Sequence, residues 1–316
     1  MHNMMTHDAP QRALGFLLAQ ATYIETPAYE MRYQDITYPS LLPVDTSAPE
    51  WVKSVTYFSL DGAGQAAWFS GGAHDVPRVD LAREKFESTV HMAAIGYGYS
   101  VEELSTAMLY GLNLDASKST LARRVAEEMI ERVAFTGDAA KGLTGLFNAA
   151  SPTADTVPAD GASSATTFAS KTPDQVLRDV NTALSGMFTG TLGAEIADTL
   201  ILPYSVLLDL STRRIDSVNS TTIVEWIERN NIYTRQTGQT LTIRGHFGLE
   251  TAGSGGTKRM VAYRRSPDVL KMHMPMPFRF LEPWRTGPML YEVPGIFRLG
   301  GVDIKRPKAV RYRDGL

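Results

Sequence analysis

Between Ser100 and Thr136 the polar and apolar positions recur with helical spacing. Ser100 precedes VEELSTAMLYGL, with Glu103 three residues on, a capping box that predicts a helix start. A second helix is predicted from Asp115 to Thr136. Leu121, Val125, Met129 and Val133 recur every four residues, and Ala122, Ala126, Ile130 and Ala134 repeat one position later, so the two rows form one apolar stripe. Arg123, Arg124, Glu127, Glu128, Glu131 and Arg132 are expected on the solvated face, with Arg124–Glu128 and Glu128–Arg132 spaced for pairing. Gly137 ends a helix about 33 Å long.

Upstream, period-two alternation replaces the helical period. Ser54–Leu60 and Gln65–Ser70 read as strands around an Asp61–Gly64 turn, a β-ribbon that is marginal alone and needs a neighbour to pack on. Residues 1–50 show no sustained period after Leu17 and carry Pro10, Pro27, Pro39 and Pro43. Such a segment is expected to be an arm that finds its order on another surface. Residues 150–172 are poor in bulky apolar side chains and read as a mobile loop. Helices are expected at Pro173–Phe188, Tyr204–Arg214 and Thr221–Asn230, and strands at Thr199–Pro203, Leu241–Leu249 and Met260–Arg264, with a turn at Gly253–Gly256. Short strands alternating with prolines complete an α+β chain.

Composition narrows the chemistry. The 316 residues include no cysteine, which removes disulfides, thiolate metal sites and cysteine nucleophiles. No apolar run approaches the roughly 20 residues of a membrane helix, so no membrane partner is expected. The net charge of −3 conceals an asymmetry: residues 258–316 hold thirteen Lys and Arg against five Asp and Glu, whereas residues 1–50 hold Arg12 and Arg32 against six acids. A basic third of this kind suits nucleic acid, the acidic arm of another subunit, or plain solvation.

The catalytic signals fail their context tests. The histidines His2, His7, His74, His91, His246 and His273 show no HExxH and no paired spacing, and each reads first as a structural residue. GDAAKG at 137–142 follows a helix, and GSGGTK at 253–258 lies between strands, so neither is a phosphate loop. There is no GxSxG elbow. No catalytic, cofactor-binding or metal-binding residue is assigned and no cofactor is expected. A soluble α+β enzyme with a scattered site stays open as an alternative. The arm, ribbon, long helix and loop-rich α+β unit instead offer surface that suits an assembly.

That order resembles the Hong Kong 97-like fold of tailed-phage major capsid proteins. GYGYSVEEL (96–104) leads into the helix pair, and ERVAFTGDAAKGLTGLFN (131–148) resembles a spine helix entering an axial domain. TLILPYSVLLDL (199–210) resembles the axial strand–Pro–helix; GTKRMVAYRRSPDVLKMHMPMPFRFLEPWR (256–285) and VPGIFRLGGVDIKRPKAVRYRDGL (293–316) resemble the end of one capsid subfamily. The resemblance implies an N-terminal arm (1–50), a β-hairpin extension loop (51–89), a peripheral domain (90–142 and 265–316) with spine helix 115–136, and an α/β axial domain (143–264).

It further implies a virion shell subunit, assembled in the bacterial host cytoplasm into hexamers and pentamers of an icosahedral head around double-stranded DNA. Separate scaffold and portal proteins, and in some systems decoration proteins, are the implied partners. Encapsulin nanocompartment shells share the fold and are the neighbouring alternative. In this family the spine helix faces the interior, which makes Arg123, Arg124 and Arg132 candidates for non-specific contacts to DNA phosphates. Some members join a ribbon lysine to an asparagine. No lysine lies between Val55 and Glu84, so no such bond is expected here. No cleaved scaffold segment is expected before Met1, so scaffolding is expected from a separate protein.

Overall fold

Backbone pairing over long sequence distances, more than helix packing, organises this chain. A computed structural model describes residues 35–63, 80–110, 114–216 and 218–316, and Ile36–Leu316 form one compact unit. The elements are α1 (Tyr38–Leu41), β1 (Val44–Asp45), β2 (Ser54–Ala63), β3 (Asp80–Ser100), α2 (Val101–Tyr110), α3 (Leu114–Thr136), β4 (Thr153–Thr156) and α4 (Pro173–Gly190). Then follow β5 (Thr199–Pro203), α5 (Tyr204–Thr212), α6 (Ile223–Asn230), α7 (Ile232–Thr237), β6 (Thr242–His246), β7 (Arg259–Tyr263) and β8 (Leu270–His273). The last are β9 (Met276–Phe280), β10 (Trp284–Gly287), β11 (Leu290–Gly300), β12 (Val302–Ile304) and β13 (Val310–Asp314). The expected α+β class holds.

Strand β3 does two jobs. Its first half pairs antiparallel with β2, from Thr89↔Ser54 to Asp80↔Ala63, and its second half pairs with β11, from Val90↔Gly300 to Ser100↔Leu290. Twenty-one residues at about 3.3 Å each give one continuous strand of about 70 Å. The expected hairpin is corrected here. Asp61 and Gly62 do not turn but sit in β2 opposite Ala82 and Leu81, and the charged stretch through Arg83, Glu84 and Lys85 is the partner strand. Pairing along a whole strand outweighs a two-residue turn preference. The expected return strand Gln65–Ser70 lies outside the described residues. Pro294 sits inside β11 opposite Gly96, where a Cβ would meet Val293 O at 2.8 Å, so a side chain at 96 would push the two backbones apart.

The second sheet runs β4–β13–β7–β5–β6, with β5 and β7 wholly buried. Helix α4 starts with a capping box between Thr172 and Gln175 and buries Val176, Val180, Ala183, Leu184 and Met187. Two expectations change. Val310–Asp314, grouped by sequence with the 265–309 stretch, pairs instead with β4 and β7 in this sheet. The expected mobile loop at 150–172 contains strand β4 and buries Val157, Phe168 and Lys171; its order comes from β13, which local sequence does not reveal. A third, three-stranded sheet runs β1–β8–β12.

Helix α3 starts one residue earlier than the expected 115 and ends at the expected 136. The two apolar rows part along the helix: Ala122, Ala126, Ile130 and Ala134 are buried throughout, whereas the other row is open at Leu121 (54% exposed) and Val125 (40%) and turns into the core at Met129 and Val133. Gly137 leaves the helix at φ +70°, and the chain folds straight back over the last turn. Leu146 N donates to Ala134 O (2.9 Å), Phe147 N to Phe135 O (2.8 Å) and Asn148 Nδ2 to Thr136 O (2.6 Å). Carbonyls that a helix end normally leaves open are thereby paired. A Cβ on Gly137 would meet Gly145 N at 2.8 Å in addition to the positive φ. Gly137→Ala is therefore expected to destabilise the chain by more than about 2 kcal/mol in a denaturant titration, whereas Gly142→Ala, which meets no atom, costs clearly less.

Candidate functional site

The chemistry of this chain is concentrated where α3 ends. The Glu131 carboxylate accepts from Thr37 Oγ1 (2.6 Å), Thr37 N (3.0 and 3.1 Å) and Tyr38 N (2.8 Å). His246 Nε2, at the end of β6, stands 3.5 Å from Glu131 Oε1, and Glu127 accepts from Tyr38 Oη at 2.9 Å. One carboxylate thus joins the segment leading into α1, the long helix and the second sheet. Burial pushes the Glu131 carboxyl up, but the nearby His246 ring and the hydrogen bonds from Thr37 and Tyr38 outweigh it and hold it below the ordinary glutamate range. Burial and the adjacent Glu127 push the Tyr38 phenol far upward. The expectation that Glu127 and Glu131 are solvated is corrected: on the helical wheel they border the buried row, and α1 covers them.

His246 sits among aromatics. Its ring centroid is 4.2 Å from Phe135 and 5.0 Å from Phe147, and its Nδ1 accepts from Gly248 N at 2.9 Å, which leaves Nε2 as the protonated nitrogen facing Glu131. Phe147 O accepts from Arg259 Nη1 (2.7 Å), whose fork holds Asp314 through Nε–Oδ1 (2.6 Å) and Nη2–Oδ2 (2.9 Å). Burial raises the Asp314 carboxyl, yet Arg259 and Ser254 N bring it below its usual range. Tyr312 Oη donates to Leu146 O (2.6 Å) and Tyr263 Oη to Leu41 O (2.7 Å). These are ties between distant segments, and among the described residues no group of His, Cys, Asp and Glu can hold a metal ion. A groove of about 470 Å³ is lined by Phe168, Val206, Lys258 and Leu316 among others. Its polar members satisfy one another: Ser205 Oγ donates to Glu250 (2.8 Å) and accepts from Lys258 Nζ (2.6 Å).

The three arginines singled out by sequence do not share one face. Arg124 pairs with Glu128 at 3.1 Å, and Arg132 lies with it on the open stripe. Arg123 stands half a turn away from Arg132, its guanidinium 6.0 Å from the Phe278 ring. The charge asymmetry is partly spent inside the subunit: Asp45 pairs with Lys271, and Glu50 forms a fork with Arg279 at 2.9 Å for both bonds. Of the other acids in residues 1–50, Asp8, Glu25 and Glu30 lie outside the described residues.

A ribbon growing out of a sheet, a long helix with one open stripe and sheets laced together by buried ties define the fold of a structural, shell-forming protein. The sequence profile of the major capsid protein family matches residues 64–316, and the chain belongs to that family. The capsid of Myoviridae phage XM1 is similar over 94% of this chain and 98% of its own, at 17% identity and a TM-score of 0.77. The capsid of a native GTA particle is similar over 93% and 94%, at 10% identity and a TM-score of 0.60. A virus-like particle from Pyrococcus furiosus is similar over 87% and 91%, at 14% identity and a TM-score of 0.55. A search of curated proteins finds no match.

Glu131 supplies stability above the ordinary glutamate range, and that contribution is lost as pH falls through its lowered value. Wild-type melting is expected to drop below about pH 4.5. Glu131→Gln should cost about 2 kcal/mol at pH 7 and flatten the acid limb of a melting-temperature profile; an unchanged limb contradicts the assignment.

Proposed function

We propose that this phage major capsid protein builds an icosahedral head as pentamers and hexamers around double-stranded DNA, acting as a structural subunit without catalysis. The single observation that carries the reading is strand β3, which continues without a break from its pairing with β11 into the ribbon with β2. Among the described residues β2 pairs with the first half of β3 alone, and Phe58 and Phe86 lie exposed on this ribbon, so the ribbon fits a second subunit. The family assignment supports a structural subunit over the scattered-site enzyme alternative. The match to the major capsid protein family supports the phage head over an encapsulin-like shell.

On this reading residues 51–89 are the extension loop, residues 90–142 with 265–309 the peripheral domain, and residues 143–264 with 310–316 the axial domain. Residues 1–50 are the arm, of which residues 36–50 lie on the subunit's own body. Arg124 and Arg132 are the interior residues suited to meet DNA phosphates, and Arg123 is not, because it lies toward Phe278. Scaffold and portal proteins act as separate partners during assembly in the host cytoplasm.

Negative-stain microscopy of the chain expressed with its neighbouring head genes is expected to show closed heads, tubes or rings of five and six; a uniform monomer under all conditions contradicts the reading. For DNA contact, the double variant Arg124→Gln, Arg132→Gln should lower the log–log salt slope of duplex binding by roughly two per subunit. An unchanged slope removes both residues from the interface.

A further inference from the structure

The three-stranded sheet contains a buried group that none of the capsid reading uses. His273, on the central strand β8, is 1% exposed, and it stands between two carboxylates brought in by different strands. Its Nε2 is 2.9 Å from Asp303 Oδ2 on β12. Its Nδ1 is 3.7 Å from Asp45 Oδ2 on β1 and has no hydrogen-bond partner among the described residues. Asp45 is fixed from its other sides by Lys271 Nζ and by Ser47, through Oγ (2.6 Å) and N (3.0 Å). The neighbouring charges are Lys271 on β8 itself and Lys305 beyond β12; Lys305 feels Lys271, Asp268, Asp45 and Asp303. Tyr57 of the ribbon faces Asp303, with Lys305 Nζ 5.8 Å from its ring. Gly300, at the end of β11, closes a further side without a charge.

We propose that His273 is a proton-operated latch: a second ring proton pins the β1 segment to the body, and loss of that proton loosens it. With a single ring proton, Nε2 donates to the ionised Asp303 while Nδ1 turns a lone pair toward the Asp45 carboxylate. Nothing then holds β1 from the imidazole side. A proton on Nδ1 converts that approach into an attraction and makes one imidazolium bridge β1 and β12. Asp45 stays charged while this happens. Burial raises its carboxyl, but the hydrogen bonds from Lys271 and Ser47 outweigh burial and hold it far below the usual range. The latch therefore closes when Nδ1 gains its proton and opens when it loses it. Lys271 and Lys305 oppose the added charge, and Asp303, Asp45 and Asp268 favour it. β1 is held by two further bonds, Met272 N to Pro43 O (2.9 Å) and Met274 N to Asp45 O (2.9 Å), so these two amides report whether the segment is seated.

Hydrogen exchange on the full-length chain, corrected for intrinsic rates, tests this directly. Protection at Met272 and Met274 is expected to rise roughly tenfold from about pH 8 to about pH 5.5, while amides of the buried β5 strand do not change. His273→Asn and Asp45→Asn should each remove the rise. A flat wild-type profile at Met272 and Met274, or a rise that survives in His273→Asn, overturns the latch. Should His273→Asn fail to fold, the wild-type profile and Asp45→Asn decide the question between them.

Discussion

The rest of the structure depends on the Glu131 carboxylate. It is a charge near the end of a long helix, largely covered by α1 and β6, and burial of that kind is tolerated only when its oxygens are hydrogen-bonded. Thr37 and Tyr38 supply three donors and His246 stands at the remaining side. Because those donors come from a segment some ninety residues earlier and a strand more than a hundred residues later, satisfying one carboxylate fixes three parts of the chain together. Phe135, Phe147 and His246 pack around the same point, and Arg259 and Tyr312 tie the connection leaving α3 to the second sheet. The helix becomes a beam anchored at its C-terminal end.

Beyond that anchor, strand pairing sets the remaining architecture. The sheet containing β11 holds the second half of β3, and the first half leaves the sheet as ribbon without changing strand. A two-stranded ribbon has two unpaired edges and little buried area of its own, so its stable place is on another surface. The helix stripe with Leu121, Val125 and Arg132 is likewise open within the subunit. A major capsid protein needs this division: a rigid body, whose ties are internal, and projections whose contacts are completed by other copies.

What could be read from sequence was what is encoded locally. The α3 boundaries, the Ser100–Glu103 capping box and the Gly137 stop depend on residues a few positions apart, and they match the structure closely. Long-range pairing was hidden. The Asp61–Gly62 turn signal was overridden by ten residues of pairing to a strand beyond it, and β4 escaped notice because its partner β13 lies far downstream. Glu131 looked solvated because a helical wheel marks it as polar. Its place beside the Ile130–Ala134 row was the available clue, but Thr37 and Tyr38 carry no signal of where they fold. Sequence likewise grouped Arg123 with Arg124 and Arg132, and the structure sets Arg123 half a turn from Arg132, 6.0 Å from the Phe278 ring.

A cryo-electron microscopy reconstruction of the assembled particle, resolved well enough to trace strands, tests the central claim most directly. The account predicts that the β2–β3 ribbon leaves its own subunit's sheet in one unbroken strand and lies across a neighbouring copy, with the Leu121–Arg132 stripe outside the subunit core. A ribbon folded back on its own body, with no contact to a neighbour, would contradict it.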